Sequence, residues 1–414
     1  MTLWKRWRVR VALFAMVVGP GLITANVDND AGGIATYSAA GAKYGYNILW
    51  VMPLVGILSG FVLWMCSKMA IATGKGLSAL IRERFGIKVS AYLMLALILT
   101  NIANSISNFS GIGAGVEIFG LSRHLIVPVA AFLVWRLVIK GTYHSVERWF
   151  FVACFFYVTY IISAILARPD WGDAIRQTLA PQPSWDKYYL YAVVGIIGAT
   201  IAPWMQFYQQ ASTVEKGIPA KHMRYAWWDV FLGAVAAAVV QYFIVLACGS
   251  TLHKEGILVE SAEQAAQALR PIAGNYCAGL FALGLVTAST FGATILPIST
   301  TTSLCEAMGW ERGVDKKFTE APHYYVIYTL VIVVGALVAL LAPEERLVPI
   351  MIFSQVANGV LLPAVLVCTV ILASNRDIMG NYALGPIYKV IAWLGCGLVA
   401  AASLSMVVLT IAGI

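Results

Sequence analysis

Apolar runs of about 20 residues recur along the whole of this chain, each long enough to cross a ~30 Å hydrocarbon core. That feature leaves few folds open. Inside lipid no water is at hand for a bare N–H or C=O, so each run must satisfy its own backbone as a helix. The chain therefore reads as an all-α polytopic membrane protein. Its 414 residues are 60% hydrophobic and 12% charged, about half the charged share of an ordinary soluble domain. A net charge of +8 would hint at nucleic acid in a soluble protein. Here the basic residues sit in short loops between apolar runs and read as topology signals.

Eleven transmembrane helices are expected, at approximately 11–42, 46–72, 90–119, 123–140, 146–167, 188–215, 224–250, 273–307, 323–342, 347–373 and 384–413. Together they form a single transmembrane domain spanning 1–414. The segment 168–187, with Pro169, Pro181 and Pro183, reads as a loop holding about one helical turn. The start through Lys5, Arg6, Arg8 and Arg10 resembles that of a signal peptide. No convincing cleavage site follows, and Gly19-Pro20-Gly21 interrupts the run, so it is read as part of the first helix. Most of the 28 Lys and Arg residues fall at ends that are cytoplasmic if the N-terminus is inside and the C-terminus extracytoplasmic. A plasma or inner membrane location is expected. The seven cysteines lie in or beside apolar runs without a Cys-x-x-Cys pair, and read as packing residues rather than a thiolate metal site.

Two spans look broken. The first carries Thr24-Ala-Asn-Val-Asp-Asn-Asp-Ala-Gly-Gly33, and the sixth Gly195-Ile-Ile-Gly-Ala-Thr-Ile-Ala-Pro-Trp-Met-Gln206. Irregular backbone at membrane depth is tolerated only where it faces protein or a wet cavity. Breaks at positions one and six are the spacing of two five-helix repeats, about 11–167 and 188–373, with an extra helix at about 384–413. Unwound helices at matching positions in two halves point to a secondary transporter's midplane site. The third and eighth spans correspond too: Asn101 to Gly115 and Thr287 to Thr302 are both loaded with Ser, Thr, Asn and Gly.

Asp28 and Asp30 lie in the first break. A carboxylate near the bilayer centre costs ~3 kcal/mol or more, so it has a specific reason to be there. One reason is a structural role, satisfied by helix-end amides; the other is to bind an ion. A carboxylate beside freed carbonyls is a hard oxygen site suited to Mg²⁺, Ca²⁺ or Mn²⁺. In the sixth break the carbonyls of Thr200, Ile201 or Ala202 are candidate ligands. Met205 offers a thioether, although Met in a membrane span usually packs. Gln206, Gln209 and Gln210 would face a wet path or bond a neighbouring helix. Gln355 and Asn358 in the tenth span, and Gln241 in the seventh, are neutral amides that either glue helices or approach the ion. Asp229 reads as structural. No phosphate-binding Gly-x-x-x-x-Gly-Lys-Ser/Thr loop and no His-Glu-x-x-His motif occurs, which disfavours an ATP-driven pump, a nucleotide partner and an enzyme.

Gly19-Pro-Gly-Leu through Asp30-Ala-Gly-Gly33 resembles the first helix of the NRAMP divalent-metal transporters, which reads Gly-Pro-Gly and then Asp-Pro-Gly-Asn. Thr73-Gly-Lys-Gly-Leu-Ser-Ala-Leu-Ile-Arg-Glu-Arg-Phe85 is similar to the loop after that family's second helix. Gly198-Ala-Thr-Ile-Ala-Pro203 is similar to Gly-Ala-x-x-Met-Pro-His in its sixth. Phe353-Ser-Gln-Val through Leu362-Pro-Ala364, with Ser374-Asn-Arg-Asp-Ile-Met-Gly380, resembles its tenth helix and following loop. The resemblance implies a LeuT-type fold of two inverted five-helix repeats plus one helix, alternating access, and an ion site between helices one and six. By position it implies that Asp30 matches the metal-binding Asp and Gln355 the polar Gln of helix ten.

The departures give the resemblance a direction. The family's Asn is Gly33, its soft Met ligand is Ala202, and its two His residues are Trp204 and Gln209. Its third-helix acids fall on Ser105 and Asn108. Losing the thioether removes preference for Mn²⁺ or Fe²⁺ over hard ions. Gly33 and Ala202 are expected to enlarge the cavity for a largely hydrated Mg²⁺, which sheds water reluctantly. The pattern resembles the NRAMP-related magnesium transporter branch and implies transport uncoupled from protons. The expected metal residues are Asp30, Gly33, Ala202, Gln355 and Asp28, with the cation as substrate and no cofactor. The chain is expected to act as a monomer in the bilayer, with Mn²⁺ also accepted. The competing expectation is a proton-coupled Mn²⁺ or Fe²⁺ importer that keeps its selectivity through Met205.

Overall fold

A computed structural model describes residues 18–141, 148–150, 154–184, 187–259 and 261–411, and every regular element among them is helical. The first expected span is two short helices, α1 (Pro20–Val27) and α2 (Ala31–Tyr44), separated by Asp28, Asn29 and Asp30. Then follow α3 (Val51–Thr73), α4 (Leu77–Glu117), α5 (Arg123–Lys140), α6 (Val158–Leu166) and α7 (Trp171–Leu179). The sixth span is again divided, into α8 (Lys187–Thr200) and α9 (Pro203–Glu215). The remaining long helices are α10 (Met223–Ser250), α11 (Ala262–Met308), α12 (Pro322–Leu341), α13 (Glu344–Ser374) and α14 (Pro386–Ile411). Residues 11–17, 146, 147, 151–153, 412 and 413 of the expected spans lie outside the described residues.

Among the described residues nine helices are long and apolar enough to cross a membrane. The divided first span is too short in each piece to be one of them, and α5 carries Arg123, Arg136 and Lys140. The bundle is turned inside out relative to a soluble protein. Val326, Leu330, Val333 and Leu337 of α12 and Ile387, Val390, Ile391 and Leu394 of α14 are exposed. Thr24, Asn29, Asn101, Asn104, Asn108, Gln206 and Gln209 are buried. Apolar outside and polar within is the distribution lipid demands.

Three helical stretches differ from the sequence reading. α4 begins at Leu77 and bends at Gly86 (φ 84°, ψ 170°), so the expected loop before the third span is a helix of its own. α11 does the same before the eighth span, beginning at Ala262 and bending at Gly274 (φ 88°, ψ 167°). The two bends have nearly identical backbone angles at corresponding places in the two halves. The expected loop at 168–187 contains α7, whose N-cap Asp170 accepts from the Asp173 N–H at 3.1 Å.

α11 and α13 both pack extensively on α4. α10 holds α1, α2 and α3. Where α1 meets α10 the backbones touch. A Cβ on Gly21 would lie 2.5 Å from the Val230 Cα, and one on Gly233 would lie 2.5 Å from the Gly21 oxygen. Asp229 locks that contact: its Oδ1 accepts from the N–H groups of Gly19 (2.9 Å) and Leu22 (3.2 Å), and its Oδ2 from Gly21 (2.7 Å). Pro20 has no N–H to satisfy, so one carboxylate accounts for the orphan donors at the start of α1.

Candidate metal centre

The first break comes from side chains that redirect the backbone. In α1, Thr24 Oγ1 donates to the Pro20 oxygen at 2.5 Å and Asn26 Nδ2 to the Leu22 oxygen at 2.7 Å. The helix stops at Val27. Asp30 then takes an extended conformation (φ −80°, ψ −177°) and caps α2, its Oδ1 accepting from the Gly33 N–H at 2.9 Å. Its Oδ2 accepts from Asn108 Nδ2 at 3.0 Å. Asn108 returns its own oxygen to the Ala31 N–H at 3.2 Å and also donates to the Asn104 carbonyl at 3.0 Å. One amide from α4 therefore fixes both the carboxylate and the first turn of α2. Asp28 is held more loosely, with Gln241 Nε2 of α10 at 3.5 Å from its Oδ2.

The second break is set by Pro203, which has no N–H for the carbonyl of Ala199 four residues back. Ala202 is extended (φ −69°, ψ 144°), and its carbonyl accepts from the Met205 N–H at 3.2 Å, leaving one lone pair. The two breaks are tied together by the Tyr37 hydroxyl of α2, 3.0 Å from Thr200 Oγ1 at the end of α8.

Between them lies a cavity lined by Asp28, Asp30, Asn104, Ala199, Ala202, Trp204, Gln355 and Asn358. It is too narrow to hold a water. Asn358 Nδ2 of α13 approaches Asn104 Oδ1 at 3.4 Å, closing one wall. Both carboxylates are buried, and among the described residues neither has an ion-pair partner. Two buried carboxylates without a counter-charge are costly unless protons or a cation neutralise them. The rest of the wall offers amide and carbonyl oxygens and apolar surface, and neither sulfur nor imidazole.

Four of the five residues named from sequence, Asp28, Asp30, Ala202 and Gln355, line this cavity. Gly33 does not. It supplies its N–H to Asp30, and a Cβ there would stand 2.5 Å from the Asp28 carbonyl oxygen. Its missing side chain lets the chain cross itself at the break and adds no space for an ion. Met205 is buried outside the cavity wall, and Gln209 lies further along α9. Sequence reasoning passed over Asn104 and the positioning role of Asn108. The signal was present, because Asn101, Asn104 and Asn108 recur at helical spacing on one face.

A family model described as natural resistance-associated macrophage protein-like matches residues 21–409. The chain belongs to the Nramp family. This Nramp protein is 28% identical over 377 residues to the divalent metal cation transporter MntH of Yersinia pestis (strain Pestoides F), a match covering 88% of each chain. Its fold superposes on the manganese transporter of Eremococcus coleocola with a TM-score of 0.77 at 22% identity, covering 95% of this chain and 86% of the other. It also superposes on MHP1, a nucleobase-cation-symport-1 family transporter, with a TM-score of 0.59 at 14% identity, covering 94% and 90%. The fold of this Nramp protein is the LeuT-type one, as the resemblance to the NRAMP transporters implied. Its relatives are transporters and not enzymes.

Proposed function

We propose that this Nramp protein carries divalent metal cations across a membrane by alternating access, with Mg²⁺ as the leading substrate, Mn²⁺ also accepted and no coupling to protons. The observation that carries the reading is the pair of buried carboxylates, Asp28 and Asp30, facing one cavity without a basic partner among the described residues. A divalent cation supplies the missing charge, and hard oxygens with no thioether favour an ion such as Mg²⁺. Asp30 and Asp28 act as the charged ligands, Gln355 and the Ala202 carbonyl as neutral ones, and Gly33 as the N–H donor that aims Asp30. In the present closed arrangement no water fits beside these groups. A largely hydrated ion therefore comes and goes only when the helices around the cavity separate, which is the change alternating access provides.

Support for uncoupled transport comes from Trp204, Gln209, Ser105 and Asn108, neutral groups that leave Asp28 and Asp30 as the titratable side chains lining the cavity, without the further carriers a relay needs. The chain works as a monomer in a plasma or inner membrane, N-terminus cytoplasmic and C-terminus outside, with repeats at about 11–167 and 188–373. The competing reading, Mn²⁺ transport coupled to protons, draws support from the names of the Yersinia and Eremococcus relatives. The tight cavity also suits a cation that gives up its water more readily than Mg²⁺ does.

Proteoliposomes holding a Mg²⁺-sensitive dye or a pH dye separate the two. Mg²⁺ uptake without luminal acidification is expected. Mn²⁺ uptake with acidification and no Mg²⁺ signal would overturn the Mg²⁺ reading.

A further inference from the structure

The carboxylate cavity is one end of a longer polar interior. α9 leaves it at Pro203, and Gln206, Gln209, Gln210 and Thr213 follow at the i, i+3, i+4, i+7 spacing of one helix face. All four are buried, the three glutamines at 0% exposure. Each glutamine is only half satisfied. Gln206 Oε1 accepts from Thr369 Oγ1 of α13 at 2.8 Å, while its Nε2 has no partner among the described residues. Gln209 Nε2 reaches Thr213 Oγ1 at 3.3 Å, and its Oε1 has none. Gln210 Nε2 donates to the Lys75 carbonyl at 2.8 Å, and its Oε1 has none.

A buried orphan of this kind costs about 1–3 kcal/mol, and native proteins keep few of them. Three within about two turns, on one face of one helix, line up a row of amide groups with bonding capacity to spare. The seam calls for a polar guest. The bonds already made by Gln209 and Gln210 use their NH₂ groups, so what they present is oxygen: neutral, hard and without charge.

We propose that the amide face of α9, uncovered when the helices around the cavity separate, is a second cation station, weaker than the carboxylate cavity, where a divalent cation in its water shell pauses on the Glu215 side of the first. The proposal rests on the transport reading and deepens it. Gln209 and Gln210 accept hydrogen bonds from the ion's coordinated waters, and Gln206 donates to a water of the same file. At 1.5 Å rise per residue, Gln209 lies about 9 Å along α9 from Pro203, one ion-with-water step from the carboxylates. A neutral station releases what two carboxylates hold, which conduction requires of successive sites.

Mn²⁺ bound per chain, counted by electron paramagnetic resonance on the purified protein, and Mg²⁺ flux in proteoliposomes test this together. Gln209→Glu, which keeps the shape and adds a charge, is expected to bind a second Mn²⁺ and to slow Mg²⁺ flux about ten-fold as the ion is trapped. Gln209→Leu is expected to keep the first Mn²⁺ while flux falls by a similar factor. One Mn²⁺ in Gln209→Glu, or full flux in Gln209→Leu, overturns the station. Crystals of the wild-type protein soaked in concentrated Mn²⁺ give a check free of folding effects. An anomalous peak beside Gln209 and Gln210 supports the station, and its absence there overturns it. Asp30→Asn run in the same liposomes keeps the two claims apart. If that variant matches wild-type flux, the transport reading itself fails; if it stops flux while the tests at Gln209 are negative, only the second station falls.

Discussion

Asp30 uses its two oxygens differently: Oδ1 caps α2 through the Gly33 N–H, and Oδ2 meets Asn108 at the cavity. Its substitutions therefore separate shape from charge. Asp30→Asn retains an oxygen for the cap, removes the charge and turns an NH₂ toward Asn108 Nδ2, so Mg²⁺ flux is expected to fall at least about ten-fold with a loss of about 1 kcal/mol of stability from the broken Asn108 bond. Asp30→Ala removes the cap as well and should cost a further ~1 kcal/mol, visible as a lower melting temperature in detergent. A second pair of variants tests selectivity. Ala202→Met puts a thioether into the cavity wall and is expected to move preference from Mg²⁺ toward Mn²⁺ in competition uptake. Gly33→Asn is expected to destabilise the fold without a comparable shift, since its Cβ meets the Asp28 carbonyl. At this scale the sequence exposed the carboxylates readily, because a charge inside an apolar run stands out. Asn104 and Asn108 were harder to see, because neutral amides in membrane helices serve many ends. Gly33 was read as added space because only coordinates show that another strand of the same break occupies the place its side chain would take.

The start of α1 shows how an element can be held by its end. Gly19, Gly21 and Leu22 all donate to Asp229 of α10, and Gly21 and Gly233 let the two backbones touch. Several charge-assisted hydrogen bonds on one carboxylate contribute about 3 kcal/mol or more between them. Asp229→Ala is expected to lower the melting temperature by several degrees. It should also speed labelling of a cysteine placed at position 24, while Mn²⁺ binding in the cavity persists. Unchanged labelling would mean that α1 is held by other contacts. The Gly19-Pro20-Gly21 motif was legible as an interruption, and Asp229 as structural, but their partnership spans more than 200 positions and leaves no local trace. The same limit explains the helices the sequence missed. The stretch 77–85, α7 and the stretch before Gly274 are polar or amphipathic, so an argument from apolar runs long enough to cross lipid passes over them.

For the molecule as a whole, the proposed uncoupled passage of a divalent ion would be driven by the ion's gradient and the membrane potential. An inside-negative potential of ~100 mV supplies ~4.6 kcal/mol to a doubly charged ion. Imposing such a potential on proteoliposomes with a potassium gradient and valinomycin should raise Mg²⁺ uptake several-fold without changing luminal pH. Insensitivity to potential would point to a compensating ion. The overall architecture was the most legible level, because two broken spans five apart in the chain are visible from their polar and Gly-Pro composition. The paired bends at Gly86 and Gly274 were not, since a lone glycine before an apolar run carries little information. Their backbone angles are the mirror image of ordinary extended chain, and no atom lies within 4 Å of where a side chain would begin. Every ribosomally encoded residue except glycine has the wrong handedness for those two corners. A D-alanine introduced by chemical ligation at either one has the handedness the corner asks for and would make the elbow stiffer, so the two halves of the protein could be tightened separately by building blocks that no gene encodes.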